Sequence, residues 1–161
     1  MHLTNLEEYG LRCFIQVAKA FDKEFSLSAS LIAEREGLSV DYVVKIMNLF
    51  KKEGLINSKR GQFGGFSVTK SPDEIMLSEV LNSLKSPREK LYEDNFCGAF
   101  KGNKDKCVHE CECSIRPLWH NIFELIDEFF SQVKISVFLN QEVQTNKIIK
   151  KILRSKIYET L

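Results

Sequence analysis

The sequence predicts a mainly α-helical fold with one small β-hairpin, followed by a long helix that needs a partner to cover it. Three observations predict this. Apolar residues recur at three- and four-residue steps through about 3–21, 39–53, 117–133 and 140–161, and Leu31, Ile32 and Ala33 give 28–36 a short apolar face. One glycine-rich basic segment, Lys59-Arg60-Gly61-Gln62-Phe63-Gly64-Gly65, separates two short strand-like runs. The stripe of the long helix is too apolar for solvent and too long for so small a domain to cover.

The first helix carries Leu6, Tyr9, Phe14, Ile15, Val17, Ala18 and Phe21, with Thr4 or Asn5 as cap and Glu7 and Glu8 at the positive end of its dipole. Asp22-Lys23-Glu24 is a polar break. A second helix, from Ser28 to Glu36, ends at Gly37, which reaches the left-handed conformation a helix stop needs. Ser39 caps a third, which presents Val43, Ile46, Met47, Leu49 and Phe50 and stops at Gly54. Helix, glycine turn and serine-capped helix make a helix-turn-helix. Leu55–Ser58 and Phe66–Val68 then read as the strands of a hairpin wing. Ser71–Ile75 caps a fourth helix through Val80, Leu81 and Leu84, closed by Ser86-Pro87. Pro117 opens the long helix, with Leu118, Ile122, Leu125, Ile126, Phe129, Phe130 and Val133 on one stripe. A last helix sets Ile148, Ile149, Ile152, Leu153 and Ile157 against a basic face. The predicted divisions are a winged helix-turn-helix domain over 1–86, a cysteine-rich loop over 87–116, a dimerisation helix over 117–139 and a helical extension over 140–161.

With 161 residues, 43% of them hydrophobic, the chain can bury a core. Its 23 basic and 22 acidic residues nearly cancel, so a nucleic-acid surface must be local. No apolar run reaches a membrane span and residues 1–5 are not signal-like, so a soluble, cytoplasmic protein is expected. No Cys-x-x-Cys, dinucleotide fingerprint or nucleophile motif supports an enzyme.

Between Lys45 and Lys70 stand six basic residues and one acid, Glu53. This local excess suits phosphate neutralisation. Ser39, Val40, Asp41, Tyr42 and Lys45 are placed to meet base edges in a major groove, and Lys59, Arg60 and Gly61 form the wing tip. Arg60 suits a narrow minor groove. Four cysteines, Cys97, Cys107, Cys111 and Cys113, fall within one short stretch. Thiolates so clustered hold an iron–sulfur cluster or zinc; reduced free thiols are the plain alternative. Cys13 sits among apolar residues and reads as packing.

Several segments in this order resemble the Rrf2 family of bacterial winged-helix regulators, the IscR, NsrR and CymR type. They are Leu3-Thr4-Asn5-Leu6-Glu7-Glu8-Tyr9-Gly10-Leu11-Arg12, Ile32–Tyr42, the wing Arg60–Phe66 and Cys113-Ser114-Ile115-Arg116-Pro117-Leu118-Trp119. The resemblance covers about residues 1–139. It implies a homodimer whose long helices cross and whose winged domains bind palindromic double-stranded DNA. It also implies three cluster-binding cysteines before the dimer helix. Cys97, Cys107 and Cys113 match them, with Cys111 as the alternative middle ligand. In one branch a carboxylate at the position of Glu8 reaches the other subunit's cluster, and the helical turn after it holds Arg12 here. In another branch a histidine follows the last cysteine by three residues, where this chain has Arg116. His109 lies in the loop, and His120 reads as a helix-surface residue. The implied function is a repressor or activator whose operator binding answers to redox state, nitric oxide or iron–sulfur status through a cluster, 2Fe–2S preferred to 4Fe–4S. The alternative is a cluster-free or zinc-binding regulator controlled by thiol oxidation or a protein partner.

Overall fold

In the computed structural model, which describes residues 4–21, 26–61, 64–85, 96–109 and 112–159, side-chain hydroxyls open the first three helices. Helix α1 (Asn5–Ala18) starts at Thr4, whose Oγ1 accepts from Glu7 N while the Glu7 carboxylate accepts from Thr4 N at 2.8 Å. Ser28 Oγ accepts from Leu31 N to open α2 (Ala29–Glu36). Ser39 Oγ does the same for Tyr42 N at the start of α3 (Val40–Lys52). Gly37 turns the chain between α2 and α3 at φ 66, a left-handed conformation that costs a residue without Cβ little. Phe21, expected on the buried face of α1, lies past the helix end and is 39% exposed. The break at 22–24 lies outside the described residues.

Strands β1 (Ile56–Lys59) and β2 (Gly65–Val68) pair antiparallel, Ile56 opposite Val68 and Lys59 opposite Gly65. The hairpin is fastened at its base to the segment before α2. Leu27 N donates to Phe66 O at 2.9 Å, and Phe66 N to Leu27 O at 2.8 Å. The double glycine follows from close approach: a Cβ on Gly64 would meet the carbonyl oxygens of Lys59 and Gly61, and one on Gly65 would lie 2.5 Å from the Leu27 carbonyl.

The fourth helix departs from the sequence expectation. Ser71–Glu74 closes on itself as a turn, with Glu74 N donating to Ser71 O at 2.8 Å and Asp73 N to Ser71 Oγ at 3.3 Å. Helix α4 (Leu77–Leu84) starts later, from an extended Met76 bridged to Lys134. Leu77 N donates to Val133 O at 2.7 Å and Ile135 N to Ile75 O at 2.9 Å. Pro87 lies outside the described residues.

A short helix α5 (Phe96–Ala99) precedes the long helix α6 (Arg116–Phe130), which has Pro117 in its first turn. The long helix, expected over 117–139, ends at Phe130. The chain then turns back, so that Val133 leaves the expected stripe and is fully buried in the winged domain beside Ile135. A 3-10 helix (Ile135–Leu139) leads to α7 (Glu142–Glu159).

One core unites these pieces: Phe14 and Phe50, edge-to-face with ring centroids 4.9 Å apart, with Val17, Ile32, Ile46, Met47, Ile75 and Val80 around them. Burial of each large side chain contributes roughly 1.5–3 kcal/mol relative to exposure. Ile148, Ile149 and Ile152 of α7 pack against this core, and Thr145 Oγ1 donates to Val137 O at 2.9 Å. Among the described residues no helix is long and apolar enough to cross a membrane.

Candidate nucleic-acid interface and thiol loop

Helix α3 divides cleanly. Val43, Ile46, Met47 and Phe50 are buried, so the opposite face is free to meet a partner. That face carries Val40, Asp41, Val44, Lys45, Asn48, Lys51 and Lys52, all exposed. Residues four apart advance about 40° round a helix, so Val40, Val44 and Asn48 form one stripe across it. Tyr42 is only half-exposed, because its ring packs edge-to-face on Tyr9 of α1 with centroids 6.2 Å apart. The Ser39 side chain is engaged as the cap of α3. Val44 and Asn48 were missed by reading charge; the buried spacing of α3 already implied their exposure.

Lys59, Arg60 and Gly61 are exposed at the end of β1, with Gly61 at φ 112. Gln62 and Phe63 lie outside the described residues. Not every basic residue of this region is presented alike. Lys51 Nζ donates to Ser58 Oγ at 2.7 Å, tying α3 to the wing, and Lys70 Nζ lies 3.7 Å from Glu79 of α4. The basic surface therefore rests on Lys45, Lys52, Lys59 and Arg60.

On α1, Arg12 Nε donates to Glu36 Oε2 at 2.7 Å, and Gln16 donates to the other oxygen of that carboxylate. The hydrogen bond and charge of Glu36 raise the Arg12 pKa above its ordinary value. The Arg12 guanidinium also lies 5.7 Å from the Tyr9 ring centroid. This network locks α1 to α2, the first helix of the helix-turn-helix. Glu8 is exposed one turn earlier, within electrostatic reach of Arg12.

Cys97 on α5, Cys107 and Cys113 are free thiols, each half-buried; Cys111 lies outside the described residues. Among the described residues no three His, Cys, Asp or Glu side chains converge to hold a metal ion, so Cys97, Cys107 and Cys113 are not gathered within the one chain. In donor chemistry the three thiols on one segment fit a soft-metal group. Arg116 Nη2 donates to His109 O at 3.2 Å and ties the loop to the start of α6. His109 is exposed, and His120 Nδ1 lies 3.3 Å from Glu124 on the α6 surface. Cys13 is fully buried, and loss of solvent pushes its thiol up to about 12.

No residue of α6 is buried, although its face is apolar: Leu118 is 57% and Leu125 48% exposed. Lys85 at the end of α4 lies 3.7 Å from Asp127 and fixes the helix to the winged domain.

Residues 3–141 match the Rrf2 family, described as an iron-dependent transcriptional regulator. A transcriptional regulator named IscR from Erwinia tasmaniensis is 25% identical over all of this chain and 96% of its own length. One of the same name from Aliivibrio salmonicida is 27% identical over 89% of this chain and 81% of its own. Among solved structures, T. potens IscR superposes with a TM-score of 0.66 at 21% identity, covering 86% of each chain. CymR, the global cysteine regulator of B. subtilis, superposes with a TM-score of 0.65 at 22% identity, covering 84% of this chain and 94% of its own.

Proposed function

The chain belongs to the Rrf2 family of transcriptional regulators, and from that premise we propose that it works as a cytoplasmic homodimer on a palindromic operator, under the control of an iron–sulfur cluster on its thiol loop. The observation that carries the DNA-binding half is the exposed face of α3 beside a wing bearing Lys59 and Arg60, on a chain of nearly zero net charge. The dimer rests on α6, a helix with an apolar face and no buried residue. A second copy crossing it would bury Leu118, Ile122 and Leu125 and set two α3 helices one helical turn of DNA apart.

Cys97, Cys107 and Cys113, or Cys111 in place of one, would hold the cluster, with Glu8 reaching across from the other subunit as an oxygen ligand. Such a group, 2Fe–2S in preference to 4Fe–4S, supplies sensitivity to oxidation, nitric oxide and iron supply. The chain's own part is mechanical. Arg116 anchors the loop to α6, and Lys85 with Asp127 anchors α6 to the winged domain. A change in the loop therefore bears on the angle between the two α3 helices. A second reading is a cluster-free or zinc-binding regulator controlled by thiol oxidation or a protein partner. Its cluster-free form is favoured by the three free thiols that are not gathered among the described residues.

The test is selection of duplexes from a random pool by anaerobically purified protein, followed by binding at several salt concentrations. A selected palindrome bound with a steep salt dependence supports the reading. No selected duplex, or binding that ignores salt, rejects it.

A further inference from the structure

Helix α3 exposes valine where a solvated face is expected to carry charge. Val40 is 43% and Val44 37% exposed, on successive turns of one stripe that continues to Asn48. A lone surface valine needs no explanation. Two in register are different on a helix whose other face supplies four buried core residues. β-Branched residues are also poorer helix formers than the lysines and glutamates that suit a solvated face. The surroundings of the stripe name the occupant: Lys45 stands beside it, Lys52 continues it one turn beyond Asn48, and Lys59 and Arg60 stand on the adjoining wing. An apolar strip edged with cations matches a major groove, where the one apolar group on any base edge is the C5 methyl of thymine. An exposed asparagine at the end of the strip has the geometry to take the N6 and N7 edge of adenine with both side-chain polar atoms.

We propose that this chain reads A·T pairs in each half-site through Val40 and Val44 packed on thymine methyl groups and Asn48 on adenine. The inference rests on the DNA-binding reading above and adds what that surface selects. Specificity then lies in shape and methyl contacts from α3, while the lysines and Arg60 supply affinity without sequence preference.

The experiment uses the full-length protein and a palindrome selected as above. Thymines in each half-site are replaced one at a time by deoxyuridine, which removes only the methyl. At the contacted positions wild-type affinity should fall about fourfold per methyl, the effect of leaving one such group in water. The Val44→Ala variant should bind thymine and deoxyuridine duplexes alike at one of those positions. Its thermal unfolding should not fall below the wild-type value, because Val44 lies outside the core and alanine is the better helix former. A selected half-site of G·C pairs alone, deoxyuridine that is neutral everywhere, or a Val44→Ala variant that keeps the wild-type preference each overturns the proposal. Failure of the wild type to bind any duplex removes the DNA-binding reading itself, a separate outcome.

Discussion

Gly65 is the point where the wing is held to the domain, and Gly65→Ala tests that attachment. The added Cβ would lie 2.5 Å from the carbonyl carbon and oxygen of Leu27 and 2.9 Å from Ser28 N, all backbone atoms that cannot swing aside. Restoring contact distances of about 3.5 Å requires β2 to withdraw by about 1 Å. The bonds between Leu27 and Phe66, now 2.9 and 2.8 Å, then pass beyond hydrogen-bonding reach. Each is worth about 1 kcal/mol, and looser packing of the buried Leu27 costs about 1 kcal/mol more. Against this, alanine restricts the unfolded chain and returns about 0.4–1 kcal/mol. The expected net loss is about 2 kcal/mol, read as a lower urea midpoint at unchanged m-value by circular dichroism. DNA affinity should fall as well, because the wing loses its fixed direction. A variant within about 0.5 kcal/mol of wild type, with unaltered DNA binding, would refute this account of the double glycine.

The other predictions concern surfaces and thiols. Replacing Lys59 or Arg60 by Ala should reduce the slope of log affinity against log salt by about 0.9 for each phosphate that is no longer neutralised. Lys70→Ala should leave the slope unchanged, since Lys70 faces Glu79. Leu125→Asp on the exposed face of α6 should give a folded monomer in analytical ultracentrifugation. Val133→Ala, in the core, should keep the dimer and lose about 1–3 kcal/mol of stability. A maleimide should label Cys97, Cys107 and Cys113 in the apo-protein and spare Cys13 until the chain is unfolded. The Cys13 thiol ionises near its ordinary 9.0 when unfolded and only at about 12 when folded. Its contribution to stability is therefore complete below pH 9 and lost as pH rises toward 12. Urea midpoints of wild type and Cys13→Ala, compared from pH 8 to 11, should converge with rising pH; parallel curves would contradict the burial argument.

What was legible in the sequence is what local chemistry decides. Thr4 and Ser39 cap helices because a hydroxyl two or three residues ahead of free N–H groups satisfies them wherever the helix lies. Gly37 and Gly54 stop helices at φ 66 and 73, for a reason equally local. The wing was legible for the same kind of reason, through its glycines and its two short flanking runs. The start of α4 was not. It depends on Met76 bridging Lys134 and on Leu77 N reaching Val133 O, pairings between distant segments that no window of sequence contains. The same pairing draws Val133 away from the stripe on which periodicity placed it. Around α3 and the wing, charge alone did not show which side chains the fold engages. Tyr42 is engaged by Tyr9 and Lys70 by Glu79, whereas Val44 and Asn48 stand open. The cysteine spacing pointed to soft-metal chemistry, but ligand choice depends on how the loop closes, and Cys111 lies outside the described residues.

The link between the thiol loop and the DNA-binding face is tested most directly by an operator titration on one anaerobic preparation, before and after its iron is removed with a chelator. The expected result is iron and sulfide in matching amounts at the start, with visible absorption, and an operator affinity that changes at least tenfold when they are removed. Equal affinity in the two states, or protein purified without oxygen that contains neither iron nor sulfide, would contradict control by a cluster on Cys97, Cys107 and Cys113.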